Sequence, residues 1–290
     1  MNNITIIGIG LIGSSLARAI RQNYSKVLIN FIDVSEDNLK KSKSLSLADS
    51  YNTKINKDVE KSEFIFICTP ISAYKNIFND LSKLKLDQTI ITDVGSSKVE
   101  IIKLANEFLK NKVFVPGHPI AGTEKSGPEN GFKDLFKNKW FISNTCELCD
   151  ETQIKKVNDI WKNLGSKIET MNSKDHDSIM AITSHIPHLI AYNIVGTASE
   201  LEDNIKSEVI KFSASGFRDF TRIASSDPTM WRDIMLSNKT EIISLLEKFN
   251  SDLSKILDAI KNNDGKFLFE KFKKTKEIRE KIIEAGLDKN

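Results

Sequence analysis

All four histidines of this 290-residue chain fall at positions 118, 176, 185 and 188. His118 stands between Gly117 and Pro119 at the end of an apolar run, a poor place for a packing residue. Imidazole titrates near neutrality, so such a ring suits proton removal from an alcohol that is losing hydride. His185 and His188 lie three residues apart in Ser184-His185-Ile186-Pro187-His188 and can share a helix face. No third histidine or carboxylate accompanies them at ligand spacing, so substrate contact suits them better than a metal. Arg218, Arg222 and Arg232 stand close together between Gly216 and Asp233. Guanidinium forks bind carboxylates bidentately, so this segment invites an acidic substrate. The competing reading pairs these arginines with Asp219, Asp227 and Asp233.

A second chemistry-bearing stretch is Gly8-Ile9-Gly10-Leu11-Ile12-Gly13, which follows the apolar run 4–8 and opens an amphipathic segment. A next apolar run ends at Asp33, twenty residues after Gly13. Glycines permit a tight turn, close approach of a pyrophosphate and close helix–strand packing, while helix N–H groups hold the phosphate charge. Asp33 then receives ribose hydroxyls and repels a 2′-phosphate, favouring NAD over NADP. Two further polar clusters follow strand ends, where open sheets bind ligands. They are Cys68-Thr69-Pro70 and Asp93-Val94-Gly95-Ser96-Ser97-Lys98, of which Thr69, Pro70 and Ser96 are expected on the cofactor side.

The elements that must position these groups are legible as apolar runs at 4–8, 27–33, 64–70, 89–95, 113–119, 140–143 and 167–171. Helix-length spacers between them predict an α/β fold, a parallel sheet covered on both faces. After Met171 the strand pattern stops, and residues 175–200, 205–215 and 228–284 read as helices. The expected organisation is a Rossmann-type dinucleotide-binding domain over 1–171 and an all-helical domain over 172–290. Ile242, Leu246, Phe249, Leu253, Ile256 and Ile260 form one apolar stripe, read equally as internal core or half of a dimer seam.

Composition narrows the functional classes. Net charge is +3 and dispersed, so no nucleic-acid partner is indicated. The lysines between Lys266 and Lys276 alternate with glutamate as on a solvated helix face. No run reaches the length of a membrane span, and Ile4–Ile12 lacks the basic flank of a signal peptide. Three cysteines make no disulfide framework, which points to a reducing cytoplasm. Cys146 and Cys149 form a single C-x-x-C, with Cys68 far upstream, too few ligands for a structural metal.

Taken together, G-I-G-L-I-G, D-V-G-S (93–96), G-H-P-I-A-G-T-E-K-S-G (117–127), H-I-P-H (185–188) and G-F-R-D-F-T-R-I-A-S-S-D-P-T-M-W (216–231) stand in family-like order. The chain resembles the prephenate/arogenate (cyclohexadienyl) dehydrogenases of tyrosine biosynthesis, from Ile4 to about Ile260. The resemblance implies NAD-dependent oxidative decarboxylation of a cyclohexadienol acid and a homodimer formed through the helical domain. It implies that His118 bonds the ring hydroxyl, that Ser96 orients His118 and the nicotinamide, and that Arg222 binds a substrate carboxylate. His188, Thr123 and Trp231 would line the substrate pocket. Ser14 and Ser215 stand where relatives often have glycine, the second at the expected pocket border. No appended regulatory segment is read, which weakens the expectation of allosteric control by tyrosine. The competing readings are a β-hydroxyacid dehydrogenase, which would need a catalytic lysine in a K-x-x-N pattern, and a non-catalytic NAD sensor.

Overall fold

The computed structural model describes residues 1–200, 211 and 214–284. Six parallel strands form the main sheet: β1 (Asn3–Ile7), β2 (Leu28–Ile32), β3 (Ser50–Asn52), β4 (Phe64–Ile67), β5 (Ile90–Asp93) and β6 (Val113–Val115). Their order is β3-β2-β1-β4-β5-β6, so the winding direction reverses between β1 and β4. The inner strands are apolar throughout because both faces are covered. Phe64 and Phe66 of β4 point into one core, Ile65 and Ile67 into the other. On the first face α1 (Leu11–Asn23) contributes Leu16 and Ile20, and α5 (Glu151–Asn163) contributes Trp161, stacked on Phe141 at 4.5 Å. On the second, α3 (Tyr74–Ser82) and α4 (Val99–Phe108) bury Phe78, Leu81, Ile101 and Ala105. α2 (Glu36–Ser44) follows β2.

The run expected as one strand over 113–119 is two. β6 ends at Val115, and β7 (Gly117–Pro119) belongs to a second sheet with β8 (Trp140–Asn144) and β9 (Lys167–Met171). Pro116 lies between them and has no N–H to continue a ladder; its carbonyl accepts from Asn144 N at 2.9 Å instead. β7 runs antiparallel to β8 and places His118 opposite Ile142, so the sheets are not all parallel as expected. The short edge strand β3 was not read from the sequence.

Beyond Met171 come α6 (Ser173–Met180), a π-helical turn over Ala181–His185, α7 (Ile186–Ser199), α8 (Ser215–Thr221), α9 (Pro228–Ser237), α10 (Lys239–Lys261) and α11 (Gly265–Glu284). The helix expected over 228–284 is thus three, parted at Asn238 and at Asn262-Asn263-Asp264, where Asn263 takes a φ of 53°. The helix expected over 205–215 lies, apart from residues 211, 214 and 215, outside the described residues.

The chain forms two compact units, Met1–Ile242 and Ile243–Asn290. The first runs past Met171 because helices beyond it are hydrogen-bonded to the sheet side. Lys98 N donates to Asp177 at 2.7 Å, Ser97 Oγ meets Ser237 Oγ at 2.8 Å, and Ser72 N donates to Asp233 at 3.2 Å. Along the apolar stripe Ile242 is buried, Leu246 and Ile256 are half-buried, and Phe249, Leu253 and Ile260 are exposed. No helix among the described residues is long and apolar enough to cross a membrane.

Candidate active site

The glycine turn lies at the C-terminal ends of β1 and β4, where the strand order reverses. Open α/β sheets bind ligands at this crevice. Gly8 has a φ of +93°, and a Cβ there would sit 2.7 Å from the Cys68 carbonyl. A Cβ on Gly13 would run into the Gly8 carbonyl, whereas one on Gly10 would meet nothing within 4 Å. Two glycines therefore serve close packing, and the middle one faces open space. Leu11 and Ile12 open α1, whose N-terminus carries no side-chain cap, leaving its first N–H groups for an anion. Asp33 accepts from Ile9 N at 2.7 Å and from Ser35 N at 2.8 Å, tying the end of β2 to the turn. Thr69 Oγ1 is buried at this crevice without a partner, and Pro70 beside it is exposed. The open space at Gly10, an uncapped helix N-terminus and an orphaned hydroxyl fit a dinucleotide.

At the same edge of the sheet, beyond β5, a polar centre is assembled from distant segments. Lys98 Nζ donates to Asp93 Oδ2 and to the Gly117 carbonyl, each at 2.6 Å, and Gly117 N donates to Asp93 Oδ1 at 3.0 Å. Lys98 and Asp93 are wholly buried. Desolvating two charges costs several kcal/mol each, in order of magnitude, so such a pair persists only when its remaining donors and acceptors are satisfied. Burial pulls the Lys98 ammonium below its ordinary pKa, and Asp93 opposes this. The knot fixes the backbone of β7 and hence His118.

His118 Nδ1 meets His176 Nε2 at 2.9 Å, and His176 Nδ1 meets Asp177 Oδ1 at 2.8 Å. The Asp177 carboxylate also accepts Lys98 N at 2.7 Å and Val99 N at 2.9 Å, capping α4 from another part of the chain. Burial drives the His118 ring well below the ordinary imidazole pKa, helped by His176, Lys98 and His185. A neutral imidazole results, able to receive a proton. Ser96 is half-buried, and its side chain makes no hydrogen bond among the described residues. The ring of His118 is held by His176.

On the helical side, the π turn at 181–185 sets the His185 ring inward. Asn238 Nδ2 donates to the Asp177 carbonyl at 2.8 Å and meets His185 Nδ1 at 3.1 Å. The buried His185 ring lies against the Ser96 main chain, and burial pushes it down to about 4. His188 stacks on Trp231 with centroids 3.6 Å apart, and the buried Trp231 Nε1 is unpartnered. His188 Nδ1 donates to the Ser184 carbonyl at 2.8 Å.

The arginines divide as the competing readings allowed. Arg232 pairs with Asp233 at 2.7 Å, and Arg222 pairs with Glu124 at 3.1 Å on the exposed rim. Asp227 instead caps α9 by accepting Met230 N at 2.8 Å. Thr123 is exposed beside Glu124 and accepts from Lys125 N at 3.2 Å. Ser215 is the exposed first residue of α8, and Ser14 is buried in α1 with its hydroxyl on the Leu11 carbonyl. Cys146 and Cys149 thiols lie 3.4 Å apart, and no metal-holding group of side chains occurs among the described residues.

Sequence reasoning missed His176, Asp177 and Asn238 as members of the centre. A His-Asp pair just inside a helix start was the available signal, but nothing local says that it faces His118.

A dinucleotide cradle and a neutral imidazole at one edge of a doubly wound sheet define a pyridine-nucleotide oxidoreductase that acts on an alcohol. Residues 16–170 match the nucleotide-binding domain of prephenate dehydrogenase, and residues 172–274 match its dimerization domain. The cyclohexadienyl dehydrogenase of Zymomonas mobilis is 36% identical over 96% of this chain and 94% of its own length. The prephenate dehydrogenase of A. aeolicus, solved with hydroxyphenyl propionate and NAD+, superposes with a TM-score of 0.88 at 34% identity, covering 97% of this chain and 98% of that one. For the arogenate dehydrogenase of Synechocystis the TM-score is 0.79 at 26% identity, over 97% and 99%. The chain belongs to the prephenate dehydrogenase family.

Proposed function

We propose that this chain catalyses the NAD-dependent oxidative decarboxylation of prephenate or arogenate, the dehydrogenase step of tyrosine biosynthesis. The observation that carries the reading is His118: a ring kept neutral by burial, on β7 and tied through Gly117 to Asp93 at the C-terminal end of β5, in the sheet whose β1 leads into the glycine cradle. Oxidation of a ring carbinol needs an acceptor for the hydroxyl proton, and His118 supplies it. Bound NAD supplies the hydride acceptor. The resulting dienone is a vinylogous β-keto acid, and loss of its ring carboxylate as CO2 gives a phenol. Aromatisation drives the step, so the protein needs only to align the reactants and manage one proton. General-base help of this kind is worth on the order of 10²–10⁴ in rate.

Gly8, Gly10, Leu11, Ile12, Gly13, Asp33, Thr69, Pro70 and Ser96 hold the cofactor in this reading, and Ser96 also orients His118 and the nicotinamide. Arg222 takes a substrate carboxylate by exchanging its exposed Glu124 partner, while His188, Trp231 and Thr123 line the pocket. Residues 1–171 act as the cofactor half and 172–290 as the substrate and dimer half. The exposed Phe249, Leu253 and Ile260 support a homodimer seam, and three free thiols suit a reducing cytoplasm.

The test is direct. Purified protein with NAD is expected to form NADH with 4-hydroxyphenylpyruvate from prephenate, or with tyrosine from arogenate. Absence of turnover with both acids overturns the assignment.

A further inference from the structure

From the His118–His176–Asp177 chain, we infer that His176 and Asp177 are positioning residues that hold the base in a single tautomer, with hydrogen on Nδ1 and a lone pair on Nε2. The inference rests on the reading of His118 as the base.

Both Asp177 oxygens accept main-chain N–H groups, at 2.7 Å from Lys98 and 2.9 Å from Val99. Those donors, at the positive end of α4, make this carboxylate an acceptor. The nitrogen of His176 that faces it at 2.8 Å therefore carries the hydrogen. His176 is wholly buried near the Lys98 ammonium, and burial lowers its affinity for a second proton despite Asp177. A neutral ring protonated on Nδ1 has its lone pair on Nε2. Across the 2.9 Å contact that lone pair must receive hydrogen from His118 Nδ1. His118 Nε2 is left as an acceptor.

The rings meet edge-on, 5.1 Å between centroids with planes at 62°, which also restricts rotation of the half-buried His118. Other charged groups around the pair are few. Lys98 is engaged by Asp93 and the Gly117 carbonyl, and His185 is turned to Asn238. When His118 Nε2 takes the substrate proton, Nδ1–H stays on His176 and the new positive charge faces Asp177 through one neutral ring. No proton needs to leave the chain during the step. A base with the wrong tautomer would present N–H to the hydroxyl and could not accept.

The test combines nitrogen NMR of histidine-labelled full-length protein with kinetics. Without any substrate, the His118 signals, assigned by their loss in His118→Asn, are expected to show hydrogen on Nδ1. His176→Phe cannot accept that hydrogen; it should give a mixture of tautomers and lower kcat by about 10²-fold with KM for both substrates near wild type. His176→Gln, whose carbonyl can accept, should recover most of the loss. Hydrogen on Nε2 in the wild-type spectrum overturns the inference, and that measurement does not require any variant at 176 to fold. An unchanged kcat in His176→Phe overturns it too. If the tautomer is found but neither acid turns over, the reading of the activity fails while the relay stands.

Discussion

The glycine turn and the His118 centre lie by the C-terminal ends of β1 and β5 of the main sheet, yet they are built in opposite ways. The turn uses residues 8–13 and a carboxylate at 33, all within one strand–helix–strand unit. Its work is done by backbone: a positive φ at Gly8, packing room at Gly13, open space at Gly10. The centre joins His118 to a ring 58 residues away, and Lys98 N to a carboxylate 79 residues away. Its work is done by side chains whose protonation states depend on burial. A site written in local backbone geometry exists once a single unit has formed. One written in remote hydrogen bonds exists only when the helices beyond Met171 have docked.

The largest loss of activity is expected from His118→Asn. Removing the acceptor should lower kcat by about 10³-fold, within the range of general-base effects. Affinity for NAD, followed by calorimetric titration, should stay near wild type because the cradle is untouched. Retained turnover would remove His118 from the mechanism and leave the two regions functionally undivided.

Gly13→Ala tests the other side. Its Cβ meets the Gly8 carbonyl, so the turn must shift. Strain of about 1–3 kcal/mol should weaken NAD binding by roughly tenfold to a hundredfold, with kcat at saturating NAD largely kept. An unchanged dissociation constant would mean that close packing at this glycine is dispensable.

The smallest effect is on folding stability. All four histidines lie in or beside the assembled centre, and burial holds each ring below its ordinary pKa. Under mildly acidic conditions the unfolded chain therefore binds more protons than the folded one. Their contribution is complete above about pH 6.5 and falls away below it. For His185 the loss continues to about 4, where the folded ring charges as well. Each ring costs at most about 1.4 kcal/mol per pH unit in this window. Urea titrations near neutrality and about one unit below should show the decline before most carboxylates titrate. A flat profile would mean that the folded rings take up protons as readily as those of the unfolded chain.

The same contrast explains what was legible in the sequence. Alternating apolar runs disclosed the sheet, because strands buried on both faces must be apolar throughout. The glycine spacing disclosed the turn, and Gly117-His118-Pro119 marked His118 as the candidate base by its odd position. What stayed hidden was relational. Pro116 signals a break, but not that the chain then crosses to another sheet. Asn238 and the Asn262–Asp264 stretch end helices that the apolar stripe carried straight through. Nothing local to His176 says that its ring meets His118, 58 residues away.

Asp177 joins two tasks that could have been separate. In the role proposed for His118, the carboxylate that caps α4 also anchors the histidine chain, so docking of α6 and arming of the base are one event. A molecule still lacking that closure would have a formed nucleotide cleft but no group prepared to take a proton. Incomplete assembly would then yield a silent protein that holds its dinucleotide, rather than one that oxidises passing alcohols.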